Sequence, residues 1–180
     1  MISGTLPPTH IAILIGDKEG LVGVKEALDN GSPVDEIDDV GRTALWFACK
    51  HGENDICQLL LDRGADVRLK SMELGIPPIL CACGSKWQHT ECMHLLLKAS
   101  AEPNSSDIKG WTPLMYAAMS GNVETIKMLL KAGADRTATV QQGLIETPHT
   151  AAQLARLAGR PEVAAFLEKP SLEPQGAAAA

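Results

Sequence analysis

Cys81, Cys83, His89, Cys92 and His94 fall within one short stretch of the chain, and thiolate and imidazole are the side chains that most often hold zinc. Their spacing argues against a shared ion. On a helix the side chains of Cys81 and Cys83 project about 200° apart, so both cannot reach one metal. Cys83 takes the place that Cys49 and Ala118 hold in the corresponding segments, which reads as core packing. His89 and Cys92 share a helix face, yet two ligands do not make a structural zinc site. The chain has no glycine-rich loop followed by Lys and Ser or Thr to cradle a phosphate, and no Gly-x-Ser-x-Gly turn to present a nucleophile. The expectation is therefore no metal, no cofactor, no small-molecule substrate and no catalysis.

The elements around these residues repeat. Asp38 to Asp66 aligns without a gap on Asp107 to Asp135, with about 11 identities in about 29 positions. The offset of about 69 residues is two units, and a third copy lies between them, from Leu74-Gly75-Ile76-Pro77-Pro78 to Leu95-Leu96-Leu97-Lys98-Ala99. In that copy Ser100 replaces the glycine that precedes the closing Ala. Each copy has its own start and stop signals. Thr112 can accept from the free amides of a helix start and Pro113 fits the first helical position. Gly121 ends this short helix, Asn122 can cap the next, and Ile126, Leu129 and Leu130 form a second apolar stripe ended by Gly133. A 3% aromatic content beside abundant Ala and Leu also favours closely packed helices over a sheet sandwich.

Gly41-Arg42-Thr43-Ala44-Leu45, Gly110-Trp111-Thr112-Pro113-Leu114 and the endings Gly64-Ala65-Asp66 and Gly133-Ala134-Asp135 closely resemble the ankyrin repeat. The resemblance implies an all-α, ankyrin-repeat solenoid of stacked helix-turn-helix units with β-hairpin-like fingers. Five units are expected, at about 5–34, 38–67, 72–104, 107–139 and 145–169, in one domain over residues 1–169 with a flexible tail at 170–180. The first unit has a degraded helix from His10 to Ile15 and a second from Leu21 to Leu28, stopped at Asn30-Gly31. The last runs from Thr150 through Gly159 to a helix begun by Pro161. A lengthened turn at Gly84 to His89 and an insertion from Arg136 to His149 are candidate contact loops or tolerated insertions.

A net charge of −6 argues against affinity for nucleic acid, and no stretch approaches the roughly 20 apolar residues of a membrane span. Five cysteines without a disulfide-scaffold spacing, and an N-terminus without a leader pattern, point to a reducing compartment. The expected site of action is cytoplasmic, with nuclear or cytoskeletal/ciliary association also compatible. The resemblance implies a non-catalytic module that binds another protein, as adaptor or scaffold. The alternatives are a permanent structural subunit of a large intracellular assembly such as a cytoskeletal or ciliary complex, and a regulatory or inhibitory subunit of an enzyme or transcription factor.

In this family the partner usually lies on the concave face of finger tips and first helices. Carried over residue by residue, that pattern marks Asp39, Val40, Arg42, Lys50 and His51, then Glu73, Leu74, Ile76 and Ser85, then Ile108, Lys109, Trp111, Met119 and Ser120. Trp111 is the sharpest candidate, because packing does not demand an indole there and aromatic anchors dominate interface energies; its other reading is packing on Ile108 or a neighbouring finger. Trp46 and Tyr116 either fill space between units, the favoured reading, or line the groove. Trp87 is an anchor or folds back. The acidic run Asp35, Glu36, Asp38 and Asp39 could meet a basic segment of a partner, and reads more simply as a solvated turn. Asn104 resembles a finger asparagine hydroxylated in some members, and reads more simply as the turn after Pro103.

Overall fold

The computed structural model describes residues 6–15, 17–84, 89–140 and 148–169. Within them the order is α1 (Pro8–Ile15), α2 (Asp17–Asp29), α3 (Ala44–His51), α4 (Asn54–Asp62), α5 (Pro78–Gly84) and α6 (Thr90–Lys98). Then follow α7 (Pro113–Ser120), α8 (Val123–Lys131), β1 (Thr139–Val140), β2 (His149–Thr150), α9 (Ala151–Leu157) and α10 (Pro161–Glu168). Ser85, Trp87, residues 141–147 of the Arg136 to His149 insertion and the tail from Pro170 lie outside the described residues.

Local chemistry begins the helices. The Thr43 hydroxyl accepts from the Trp46 amide at 3.2 Å, the Thr112 hydroxyl from Met115 at 3.4 Å, and the Asn122 side chain from Thr125 at 3.1 Å. Thr150 and Gln153 exchange bonds in both directions, a capping box that starts α9. Each such bond satisfies an amide that the first turn leaves without a partner.

The helices pack as pairs and the pairs pack in chain order. α1, α3, α5, α7 and α9 form one row, each against the next, while α2, α4, α6 and α8 form a second row behind it. Ala48, Ala82, Ala117 and Ala155 are buried along the first row, where a small side chain lets helices approach closely. Ile56, Leu60, Met93, Leu96, Ile126 and Leu129 close the space between the rows. This is an all-α stack of helical hairpins with short fingers between them.

The fingers are built alike. Asp38 accepts from the amides of Val40 (3.1 Å) and Arg42 (2.8 Å), and Asp107 from those of Lys109 and Trp111 (both 2.9 Å). Each finger also binds its neighbour: the Met72 amide donates to the Val40 carbonyl at 2.8 Å and the Ile108 amide to the Leu74 carbonyl at 3.1 Å. Lower down, Asp35 accepts from the Asp66 amide at 3.0 Å, and Asn104 accepts from the Asp135 amide at 2.8 Å while donating to the Gly133 carbonyl at 3.2 Å.

Several sequence expectations need correction. α2 starts at Asp17 rather than Leu21. Gly20 lies inside it, where a Cβ would come within 2.7 Å of the Ala12 carbonyl oxygen, so the missing side chain lets α2 lie against α1. The acidic run is not simply solvated, since Asp38 is buried and Asp35 ties two units together. Asn104 likewise makes a link between units rather than only a local turn. The third finger is one residue longer than its neighbours: Ser71 and Ile76 close it, where Asp38 and Arg42 or Asp107 and Trp111 close the others.

Candidate functional site: a groove beneath the second and third fingers

Val40 and Arg42 of the second finger form one wall of an open groove of about 460 Å3, and Ser71, Glu73, Leu74 and Ile76 of the longer third finger form the opposite wall. Trp46 and Lys50 of α3, Leu80 and Cys81 of α5 and Tyr116 of α7 complete it. The stacking of first helices in chain order places these side chains side by side. Leu74, which precedes the finger glycine as Val40 does, is 40% exposed at the groove edge.

Trp46 lies under both groove cations. It is 7% exposed, meets Phe47 edge-on at 5.2 Å, and carries Arg42 at 5.3 Å and Lys50 at 4.9 Å from its ring centre. Its indole N–H has no hydrogen-bond partner among the described residues. Arg42 also lies 4.6 Å from the Phe47 ring centre and pairs with Asp38, Nη2 at 2.6 Å and Nε at 2.7 Å from one carboxylate oxygen. Burial pushes the Asp38 carboxyl up, but the Arg42 guanidinium and the amides of Arg42 and Val40 outweigh it and hold the group below its ordinary value. Arg42 is thereby fixed in the finger.

Tyr116 of α7 also lines the groove. Its hydroxyl donates to Asp107 at 3.1 Å, and burial, with the Asp107 charge second, raises its pKa to about 12. Burial also pushes the Cys81 thiol well up, so it lacks the thiolate character of a nucleophile. Cys49 and Cys57 lie with sulfurs 3.9 Å apart inside the core, and Cys92 donates to Asn54 at 3.1 Å. His89 rests instead against Gly52, and no group of His, Cys, Asp and Glu suited to a metal occurs among the described residues.

Of the residues marked from sequence, Val40, Arg42, Lys50, Glu73, Leu74 and Ile76 line this groove. The others lie elsewhere. Asp39 is exposed, as are Lys109 and Ile108, the last at 67%. His51 stacks on Phe47 with ring centres 6.4 Å apart. Trp111 is half-buried, with its ring centre 5.2 Å from that of Tyr116. The Met119 carbonyl accepts from Arg160 at 2.8 Å, and the Ser120 hydroxyl donates to the Ala117 carbonyl at 3.0 Å. Leu80, Ser71 and Cys81 line the groove without having been marked. Leu80 occupies the place of Trp46 in the next first helix, a register readable from the repeats. Trp46 and Tyr116 both fill space and line the groove.

No helix among the described residues is long and apolar enough to cross a membrane. A family profile described as "Ankyrin repeats (3 copies)" matches residues 4–71 and 70–140. The chain is similar to Ankyrin repeat, SAM and basic leucine zipper domain-containing protein 1 of Mus musculus, 36% identical over 104 residues, covering 57% of this chain and 22% of that protein. The Dasypus novemcinctus protein of the same name is 34% identical over 113 residues, covering 62% of this chain and 24% of its own length. For the Homo sapiens protein the figures are 34% over 116 residues, 64% and 24%. The chain thus matches about a quarter of the curated relatives' length. The profile match covers more than half of the chain and coincides with the stacked hairpins and fingers, so the chain belongs to the ankyrin repeat family of general protein–protein interaction modules.

Proposed function

We propose that the chain is a non-catalytic adaptor or scaffold that holds another protein in the groove under its second and third fingers. One observation carries this reading: Val40, Leu74, Ile76 and Leu80 form open apolar walls beside Trp46, next to the charged groups of Lys50 and Glu73. A concave site of a few hundred Å3, mostly apolar with a few polar groups, is what a protein side chain needs for a desolvated anchor. Trp111 packs on Tyr116, which lines the groove, and the exposed tips Asp39, Ile108 and Lys109 extend the contact surface. His51, Met119 and Ser120, on α3 and α7, are part of the same proposed surface.

Affinity capture from native extract tests the reading. Leu74→Arg fills the groove edge with charge and is expected to lose the partners that the unaltered chain retains. Glu124→Arg on α8, in the outer row, is expected to keep them. An identical partner set for Leu74→Arg would refute a groove-centred module. Cytoplasmic action is part of the same proposal, supported by the cysteine spacing, and imaging of the tagged chain in cells tests it.

A further inference from the structure

We propose that the groove takes an extended protein segment of fixed polarity, with a carboxylate at the Lys50 end, an apolar side chain in the middle and a cationic side chain at the finger end. This rests on the groove reading above and specifies its occupant.

The two groove cations are not equivalent. Arg42 is already neutralised by Asp38, with two guanidinium nitrogens on one carboxylate oxygen. Lys50 has no carboxylate partner among the described residues and is held only by the face of Trp46, at 4.9 Å. An ammonium lying on an aromatic face keeps N–H groups directed away from the ring. This end therefore carries donors and positive charge without a counterpart, and the chemistry that completes it is an oxygen anion.

The finger end has the opposite sign. Glu73 lines the groove and Asp39 stands exposed on the neighbouring finger, and neither has a cationic partner among the described residues. Lys50 lies in the last turn of α3 while the finger precedes its first, a separation of at least about 9 Å at about 1.5 Å per residue, which about three or more residues of extended chain span. Between the two ends stand Val40, Leu74, Ile76 and Leu80. The complementary segment carries Asp or Glu and Lys or Arg about three or more positions apart, with a large apolar residue between them. A uniformly acidic or uniformly basic segment meets one end of like charge. The apolar residue supplies most of the affinity and the flanking charges decide orientation.

A random peptide library displayed on phage and panned on the full chain, with winners measured as synthetic peptides by fluorescence anisotropy, tests this. Winners are expected to carry the ordered triplet of acidic, apolar and cationic residues, in either chain direction. Lys50→Glu should weaken those peptides by roughly three- to tenfold. Peptides in which Lys replaces the acidic residue should regain that loss on the variant. Winners with no charge order, no winners on the unaltered chain, or indifference to Lys50→Glu would each overturn the polarity. Leu74→Arg separates the two readings, with its circular dichroism checked against the unaltered chain. Loss of all binding there, with Lys50→Glu inert, leaves the groove and removes the polarity; retained binding on Leu74→Arg removes the groove itself.

Discussion

His10 is buried between α1 and α3, its Nε2 2.8 Å from the Arg42 carbonyl oxygen and its ring edge-on to Phe47 at 5.3 Å. Burial lowers its pKa below the ordinary 6.5; the bond to Arg42 and the charges of Asp38 and Glu36 oppose that, and the Arg42 charge adds to it. The folded chain therefore binds fewer protons at this site than the unfolded chain as pH falls through 6.5, so stability falls with acidification from there down to the folded pKa and is full above 6.5. His51 is shifted the same way, by burial first and Lys50 next, and contributes in the same window. Asp38 acts lower: its depressed pKa gives stability that is present above the ordinary 3.8 and lost as pH falls through the folded value. The expected outcome is a melting temperature lower at about pH 5.5 than at about pH 7.5, with a smaller drop in His10→Asn and a smaller one still when His51→Asn is added. Thermal denaturation followed by circular dichroism at the two pH values checks it, and an unchanged drop in the double variant would exclude this origin.

At the scale of the element, α4 and α8 are followed by a glycine in the left-handed region, Gly64 with φ 85° and Gly133 with φ 91°, but α6 by Ser100 with φ 64°. A side chain in that region costs about 1–2 kcal/mol, part of which a glycine returns through its freer unfolded chain. Ser100→Gly is therefore expected to stabilise the chain by about 0.5–1 kcal/mol, seen as a raised urea midpoint with unchanged slope. A lower midpoint would mean that the serine contributes something its backbone does not reveal. The same local physics makes much of the fold legible in the sequence: Thr43, Thr112 and Thr150 announce helix starts because a hydroxyl three residues from an unpaired amide is a purely local arrangement. What depends on approach between distant segments is not legible. The start of α2 depends on Gly20 reaching the Ala12 carbonyl, and the roles of Asp35 and Asn104 depend on amides of the next unit. The site follows the same division. Register along the repeat finds Val40, Arg42, Lys50, Glu73, Leu74 and Ile76, whereas bringing Ser71, Cys81 and Tyr116 to the same groove depends on how neighbouring units pack.

The whole molecule is a row in which each hairpin touches mainly its neighbours, so its stability is approximately a sum of unit terms and interface terms. That makes the C-terminal pair a cover for what precedes it. Ala151, Leu154 and Ala155 of α9 are buried, α9 packs on α7, and Val163 and Leu167 of α10 close the end. Arg160 reaches back to the Met119 carbonyl and lies over Gly121, where a Cβ would come within 2.6 Å of its guanidinium. A chain ended at Ala138 loses all of these contacts at once, including burial of Leu154, Val163 and Leu167, each worth about 1.5–3 kcal/mol. The loss falls on the α7–α8 pair, which keeps a neighbour on one side only. Hydrogen exchange by mass spectrometry is expected to show amides of α7 and α8 losing protection in the shortened chain while those of α3 and α4 stay close to their original rates. The urea midpoint should fall and the slope decrease with the smaller surface buried. If instead α3 and α4 lost as much protection as α7 and α8, unfolding would be a single event over the full length, and nearest-neighbour stacking would not be the principle that holds this chain together.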